Sequence, residues 1–317
     1  MAGQSEAMKR PGALALSTLS LVILIVGCAP GVASTQTEGA GLWEVILQVD
    51  VQHPTIAAEF LSETFGITVG DSSQLTYTTD GARTWFQATD DAAQSRAGLD
   101  IVDERVAWLV GFGGRVWVST DGARTWQTVS RLPYSGHIEF ISFLDAHTGW
   151  AASAESGRLW ATADGGQTWV ETPLPAGARG VAAIALRTAS DGYLLDSAGV
   201  LHVTGDGGQS WSSQTLGLDE SLAIPVLTPS ATVRFLDADH GLIVLSLTAD
   251  GQSRVLSLRT TDGGQTWERD RVPVSIGQYL LTHDGTILTV ADLVDSGKIT
   301  LLRTTAPASA RRAKPPS

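Results

Sequence analysis

Five aspartates share one setting and are the first candidates for chemistry: Asp80, Asp121, Asp164, Asp206 and Asp262. Each follows a Ser or Thr by two positions, precedes a Gly, and is followed five positions later by a tryptophan: Trp85, Trp126, Trp169, Trp211 and Trp267. One copy reads Val118-Ser119-Thr120-Asp121-Gly122-Ala123-Arg124-Thr125-Trp126, another Thr162-Ala163-Asp164-Gly165-Gly166-Gln167-Thr168-Trp169. A recurring carboxylate is a catalytic acid, a metal ligand or a turn clasp, and the neighbours decide between these. Asp-Gly followed by Gly or Ala is a tight-turn signal, since glycine reaches positive φ without steric cost. The carboxylate and the hydroxyl two residues before it bond the turn's own N–H groups. The tryptophan then buries a large ring against a neighbouring sheet. The unit therefore reads as a self-stapled hairpin turn, and these aspartates as structural.

The remaining reactive side chains do not assemble into a site by spacing. The six histidines, His53, His137, His147, His202, His240 and His283, are scattered, and none has metal-ligand spacing. His202 alternates within a strand and reads as a packed or edge residue. Asp237-Ala238-Asp239-His240-Gly241 opens like a calcium loop, but its twelfth position is Thr248 where a bidentate Glu is required. Asp103, Glu104 and Asp191 fall in turns. No glycine-rich loop links a strand to a helix, so no nucleotide site is expected. Catalytic residues, metal and cofactor are all assigned as none. The net charge of −12 disfavours nucleic acid, since phosphate binding wants a basic surface.

The elements that carry the five turns repeat. Trp43, Trp85, Trp126, Trp169 and Trp211 recur at steps of about 42 residues, and a longer step leads to Trp267. The spacing predicts blades of four short strands, hence a β-propeller. Apolar first strands are expected at Ile138–Leu144, Val181–Leu186 and Val233–Leu236, second strands at Trp150–Ala154 and Leu242–Leu247, and an insertion within Leu216–Pro229. The run from Leu42 to Val49 resembles a fourth strand with no repeat before it. The C-terminal runs Gln278–Thr282, Thr286–Ala291 and Lys298–Thr304 resemble three strands with no fourth. Pairing the two ends closes the ring and removes open sheet edges. The expectation is an all-β, six-bladed propeller over residues 42–306.

The N-terminus carries an address. Lys9 and Arg10 precede an apolar run from Ala13 to Val26, too short to span a membrane. It ends in Ile25-Val26-Gly27-Cys28, which looks like a bacterial lipobox, and Cys28 is the single cysteine. Residues 1–27 are thus expected to be a lipoprotein signal peptide, 28–41 a flexible tether, and 307–317, with Arg311, Arg312 and Lys314, a disordered basic tail. The expected location is the extracytoplasmic face of a bacterial envelope, lipid-anchored through Cys28.

The five-fold unit resembles the Asp-box, or BNR repeat, of sialidases, sortilin-type receptors, some glycanases and the photosystem II stability/assembly factor family. In those proteins it lies between the third and fourth strands of a propeller blade. Over residues 42–305 the pattern Phe143-Leu144-Asp145-Ala146-His147-Thr148-Gly149-Trp150, followed by the box at Asp164, is most similar to the photosystem II assembly factor family. That resemblance implies a non-enzymatic scaffold that escorts a membrane subunit. Seven-bladed rings in related families make seven the alternative count. A sialidase-like or other glycoside hydrolase, or a carbohydrate-binding propeller, is the competing reading. No Arg-Ile-Pro segment is present, and Tyr77, Tyr134, Tyr193 and Tyr279 have no evident Glu partner in sequence. A glycosidase needs two carboxylates about 5–9.5 Å apart, and nothing at a comparable place in the repeats singles out an Asp or Glu. The expected partner is a membrane or envelope protein, such as a photosystem subunit, with a glycan as alternative, and the expected state is monomeric. Candidate binding loops are 89–97, 131–137, 173–179 and 216–230.

Overall fold

A computed structural model describes residues 43–50, 55–70, 74–90, 96–218, 231–235, 237–249, 252–270, 278–281, 287–292 and 298–304. Cys28, the expected leader, tether and basic tail, and most of the expected insertion lie outside these residues. The chain begins with β1 (Trp43–Asp50). Blade 1 holds β2 (Thr55–Phe60), β3 (Gly66–Gly70), β4 (Leu75–Thr78) and β5 (Phe86–Gln87). Blade 2 holds β6 (Thr89–Asp90), β7 (Arg96–Ile101), β8 (Ala107–Gly111), β9 (Arg115–Ser119) and β10 (Thr125–Arg131). Blade 3 is β11 (Phe140–Phe143), β12 (Gly149–Ser153), β13 (Arg158–Thr162) and β14 (Val170–Thr172). Blade 4 is β15 (Ala183–Leu186), β16 (Gly192–Leu195), β17 (Val200–Thr204) and β18 (Ser212–Thr215). Blade 5 is β19 (Ala231–Phe235), β20 (Gly241–Ala249), β21 (Gln252–Thr260) and β22 (Glu268–Asp270). The chain ends with β23 (Gln278–Leu281), β24 (Ile287–Asp292) and β25 (Lys298–Thr304).

The architecture is an all-β propeller of antiparallel four-stranded blades. Five blades are built from consecutive strands, where six were expected and seven was the alternative. The remaining sheet, which the expectation counted as the sixth blade, is not a run of consecutive strands but is assembled from both chain ends, in the order β1-β25-β24-β23, with Trp43 opposite Thr304 and Asp50 opposite Lys298. Successive first strands are neighbours: β2 lies beside β7, β7 beside β11, β11 beside β15, and β15 beside β19. β23 lies against β19, and β2 lies against β23 and β24. Blade 2 departs from four strands. The chain leaving blade 1 runs parallel to β10 as β6, pairing Thr89 with Thr125, so the outer edge of blade 2 is covered.

Burial falls from the inner strands to the rim. The second strands β3, β8, β12 and β16 are buried at every residue, so they read as continuous apolar runs rather than alternating ones. The fourth strands β5, β14 and β18 are mostly exposed, the apolar Phe86 and Val170 included. Facing blades interlock through aromatics. Trp108 of β8 stacks on Phe143 of β11 at 3.9 Å and 7°, with Trp169 edge-on to Phe143 at 6.1 Å. Tyr193 of β16 repeats this on Phe235 of β19 at 4.1 Å and 17°, with Trp267 edge-on at 6.0 Å. The Phe-to-Gly spacing in the repeat follows from this: a Cβ at Gly149 would lie 2.6 Å from the Phe143 ring, and one at Gly241 would lie 2.7 Å from Phe235.

The long step to Trp267 is not confined to the expected insertion. β20 and β21 have 9 residues each, against 5 each for β12 and β13, so part of the extra length extends one hairpin.

Candidate interaction face and central channel

The five Asp-Gly turns each lie between the third and fourth strands of a blade, and all five fold alike. In the third, Thr162 Oγ1 donates to Asp164 Oδ1 at 2.8 Å and accepts from the Gly166 N–H at 3.0 Å. Asp164 also accepts from the Thr168 N–H at 2.9 Å and from the Thr168 hydroxyl at 2.6 Å. Asp121, Asp206 and Asp262 repeat these bonds, and Asp80 repeats those from Thr78 and from the Thr84 N–H. The hydrogen bonds from Thr168, Ser210 and Thr266 hold the carboxyl groups of Asp164, Asp206 and Asp262 down at about 2. At Asp80 and Asp121 burial pushes upward, but the same bonds outweigh it and the net shift is downward.

Each turn is also tied to the first-to-second-strand turn of its own blade. Gly81, Gly122, Gly165, Gly207 and Gly263 donate their N–H to carbonyls of Thr64, Arg105, His147, Ser190 and Asp239. The five aspartates stay at separate points round the propeller and are not brought together. Their oxygens are taken by the backbone and by neighbouring hydroxyls, which leaves turn closure as their chemistry. The tryptophans differ. Trp169, Trp211 and Trp267 donate their indole N–H to the carbonyls of Gly166, Gly208 and Gly264 at 3.0 to 3.1 Å. Trp85 and Trp126, in the two turns where Ala replaces the second Gly, make no such bond.

The central channel holds a carboxylate pair that the repeat pattern did not single out. Glu59, Asp100 and Arg234 are each the next-to-last residue of a first strand, in blades 1, 2 and 5. Arg234 Nη2 donates to Glu59 Oε1 at 3.2 Å and to Asp100 Oδ1 at 2.5 Å. Glu59 also accepts the Ile101 N–H at 3.1 Å, and Asp100 the Phe143 N–H at 2.6 Å. In blade 3 the same position is Ser142, which accepts the Leu186 N–H at 3.2 Å. Glu59, Asp100 and Ser142 thus each reach the backbone of the next blade. Burial pushes the Glu59 carboxyl well above the usual range, against the opposing pull of Arg234. Burial opposes the charge on Arg234, and the two carboxylates more than restore it. Aligning Glu59-Phe60, Asp100-Ile101, Ser142-Phe143 and Arg234-Phe235 across the repeats is the signal that would have found this cluster. Both carboxylates are only 1 % exposed and fully engaged, so they present no open face to a substrate.

The face formed by second-to-third-strand turns and by blade-to-blade loops carries one exposed aromatic ring and several exposed basic groups; Phe86, Arg83, Arg105 and Arg124 are exposed elsewhere. Between β8 and β9 the chain makes a tight turn, Phe112–Gly114. Gly114 has a φ of 67°, and a Cβ there would meet the Tyr134 and Leu132 carbonyls at 2.5 and 2.9 Å, so only glycine fits. The loop after β10 is pinned to this turn, the Gly113 N–H bonding the Gly136 carbonyl and the Leu132 N–H bonding the Gly114 carbonyl. The result presents Phe112, 50 % exposed, 5.0 Å from the His137 ring. Arg158 lies over Tyr134 at 5.9 Å and faces Glu171 at 3.7 Å. Gly157, Arg158, Glu171, Thr172, Pro173 and Leu174 line a shallow depression of about 350 Å³. Arg115 and Arg131 pair across the strands at the same end of blade 2, and exposed Arg179 follows in the loop after β14. Exposed Glu155 and Glu171 share the face, so it is mixed in sign within an acidic chain.

His202 is a buried residue with two partners. Its Nδ1 lies 2.7 Å from Ser213 Oγ and its Nε2 3.3 Å from Asp196 Oδ2. Asp237 accepts the N–H groups of Asp239 and His240, as a turn should. Among the described residues no cluster of three His, Cys, Asp or Glu side chains is placed to hold a metal ion.

No family model matches the chain, and no curated protein matches it in sequence. Solved structures match its fold. YCF48 bound to a D1 peptide aligns with a TM-score of 0.53 at 17 % identity, covering 88 % of this chain and all of that one. A virginiamycin B lyase from Staphylococcus aureus, solved in a catalytically inactive form with quinupristin, aligns with a TM-score of 0.54 at 12 % identity over 80 % of this chain and 82 % of the lyase. An ancestral GH74 enzyme aligns with a TM-score of 0.50 at 13 % identity over 85 % of this chain, which spans 37 % of that enzyme's length. At these identities the likeness is one of fold, and the class of protein is the β-propeller.

Proposed function

We propose that this chain is a non-catalytic, protein-binding propeller that engages its partner through the face bearing Phe112, His137, Tyr134 and Arg158. The observation that carries this reading is the half-exposed Phe112 held beside a basic and aromatic rim. An aromatic anchor with polar groups around it is how the energetic centre of an interface is built. YCF48 has been solved with a D1 peptide, which supports peptide capture as a use of this fold. The partner we propose is a membrane or envelope protein, such as a photosystem subunit. We further propose that the five repeated turns are Asp-boxes, that the sheet joining both chain ends acts as a sixth, ring-closing blade, and that Cys28 carries a lipid on the extracytoplasmic face of a bacterial membrane.

Retention of a membrane protein by the full chain, lost on Phe112→Ala and on Arg158→Ala without a change in melting temperature, is the expected result. Equal retention by all three proteins overturns the assignment of this face. Labelled palmitate should enter the wild type and not Cys28→Ser. Removing residues 43–50 exposes the edge of β25 and should cause aggregation; a monomer melting like the parent would sink the closure.

A glycoside hydrolase is the second reading, favoured by the channel pair Glu59 and Asp100 beside Arg234. Their burial and saturation argue against it. Glycan hydrolysis by the wild type, abolished in a folded Glu59→Gln, would replace the first reading with the second.

A further inference from the structure

The loop of residues 173–180 between blades 3 and 4 carries exposed Arg179 and forms one wall of the proposed binding face, yet it has few ties of its own. Its internal hydrogen bond is Ala178 N–H to the Pro175 carbonyl. Gly177 and Gly180 both adopt positive φ, and nothing lies within 4 Å of where a Cβ of Gly177 would be. One end is held where the Trp211 indole donates to the Pro173 carbonyl at 3.0 Å. The other end is held by a single carboxylate and its neighbour. Asp196 Oδ2 accepts the Arg179 N–H at 3.1 Å, and Ser197 donates both its N–H and its hydroxyl to the Arg179 carbonyl.

Asp196 is itself buried, at 1 % exposure, just after β16. Its Oδ1 accepts the N–H groups of Ala198 and Val200, both at 2.9 Å, which shapes the second-to-third-strand turn of blade 4. Its Oδ2 is shared between Arg179 and the His202 ring. A carboxylate this buried needs all its donors, since an unmatched buried charge is costly. Nε2 of His202 therefore carries the proton toward Asp196, and Nδ1 accepts from the Ser213 hydroxyl. The imidazole fixes the direction of Oδ2, and Oδ2, together with the two Ser197 bonds to the Arg179 carbonyl, holds the loop.

We propose that Asp196 and His202 are the positioning residues of the binding face: through one shared carboxylate oxygen they set the blade 3–blade 4 loop that presents Arg179. The proposal rests on the reading of that face as the partner surface. It adds that the loop is placed by a buried hydrogen-bond relay from outside the face, with Ser213 at its outer end.

Trypsin tests this without any partner, because cleavage after Arg179 requires the loop to leave Asp196. In the full chain, His202→Leu should speed cleavage at Arg179 by about tenfold, the scale of one lost hydrogen bond to a charged group. His202→Gln, which can still donate to Asp196, should restore the wild-type rate. Cleavage at Arg131, exposed on the neighbouring blade, should not change, and Asp196→Asn should behave like His202→Leu if it folds. Equal rates at Arg179 in wild type and His202→Leu overturn the proposal, as does a matching rise at Arg131, which would mean general loosening. Partner retention is read separately: a wild type that retains nothing sinks the proposed function and leaves the loop result standing. Loss of retention in His202→Leu, recovered in His202→Gln, is the outcome expected when both hold.

Discussion

Arg234 and Asp100 lie 134 positions apart in sequence, yet Arg234 Nη2 donates to Asp100 Oδ1 at 2.5 Å across the central channel. The contact joins blade 5 to blade 2, and the same nitrogen reaches Glu59 of blade 1. The sheet made from the two chain ends is thereby bypassed. Blades from opposite ends of the repeat array are thus joined by charge.

Arg234→Met should therefore destabilise the fold by about 3–5 kcal/mol, because it strands two buried carboxyl groups. Chemical denaturation measures this. The triple variant Arg234→Met, Glu59→Gln, Asp100→Asn should recover most of the loss. Failure of the triple to recover anything would show that Arg234 acts through packing alone.

Glu59 gives the channel a pH signature. Its carboxyl is raised in the folded protein, so the folded state keeps a proton that the unfolded chain releases above its ordinary value of 4.5. Its contribution to stability is greatest below that value and falls as pH rises toward the folded pKa. Glu59→Gln removes that fall. Melting curves of the two proteins should draw together near pH 4.5 and separate in favour of the variant as pH rises above it. Parallel curves would exclude Glu59 as the source.

The turn aspartates titrate with the opposite sign. Asp164, Asp206 and Asp262 sit at about 2 against an ordinary 3.8, so the stability they add is present above pH 3.8 and is lost as pH falls through about 2. Asp164→Asn should lower the melting temperature at neutral pH and converge on the wild type in acid. A constant gap across that range would mean that the carboxylate charge is not what closes the turn.

Tryptophan replacements separate packing from hydrogen bonding. Trp126 is 2 % exposed, and Trp126→Ala should cost about 3–5 kcal/mol by emptying its site. Trp267 differs in donating to the Gly264 carbonyl at 3.1 Å. Trp267→Phe should lose that bond, about 1 kcal/mol beyond its packing change, whereas Trp126→Phe has no indole bond to lose. Equal costs for the two Phe variants would show that the bond contributes nothing.

Several features were legible in the chain because their causes are local. The Ser/Thr-x-Asp-Gly turn closes on its own backbone within a few residues, so the turns at Asp80, Asp121, Asp164, Asp206 and Asp262 could be read from spacing. The repeat of Trp43, Trp85, Trp126, Trp169 and Trp211 announced blades, and the unmatched strands at either end announced the pairing of Trp43–Asp50 with Lys298–Thr304. Everything that depends on bringing distant repeats side by side waited for the tertiary structure. Glu59, Asp100 and Arg234 each look like an ordinary polar residue near the end of an apolar strand, and only the arrangement of blades turns them inward onto one another. Phe112 and Arg158 belong to different repeats, and the shared face exists because successive blades place their turns at the same end. His202 and Asp196 are six residues apart, but the loop they hold reaches them from the preceding blade. The sequence by itself determined the repeating turn, since its bonds are short in chain length. The tertiary structure decided which units face each other, since burial and charge pairing are set by neighbours in space.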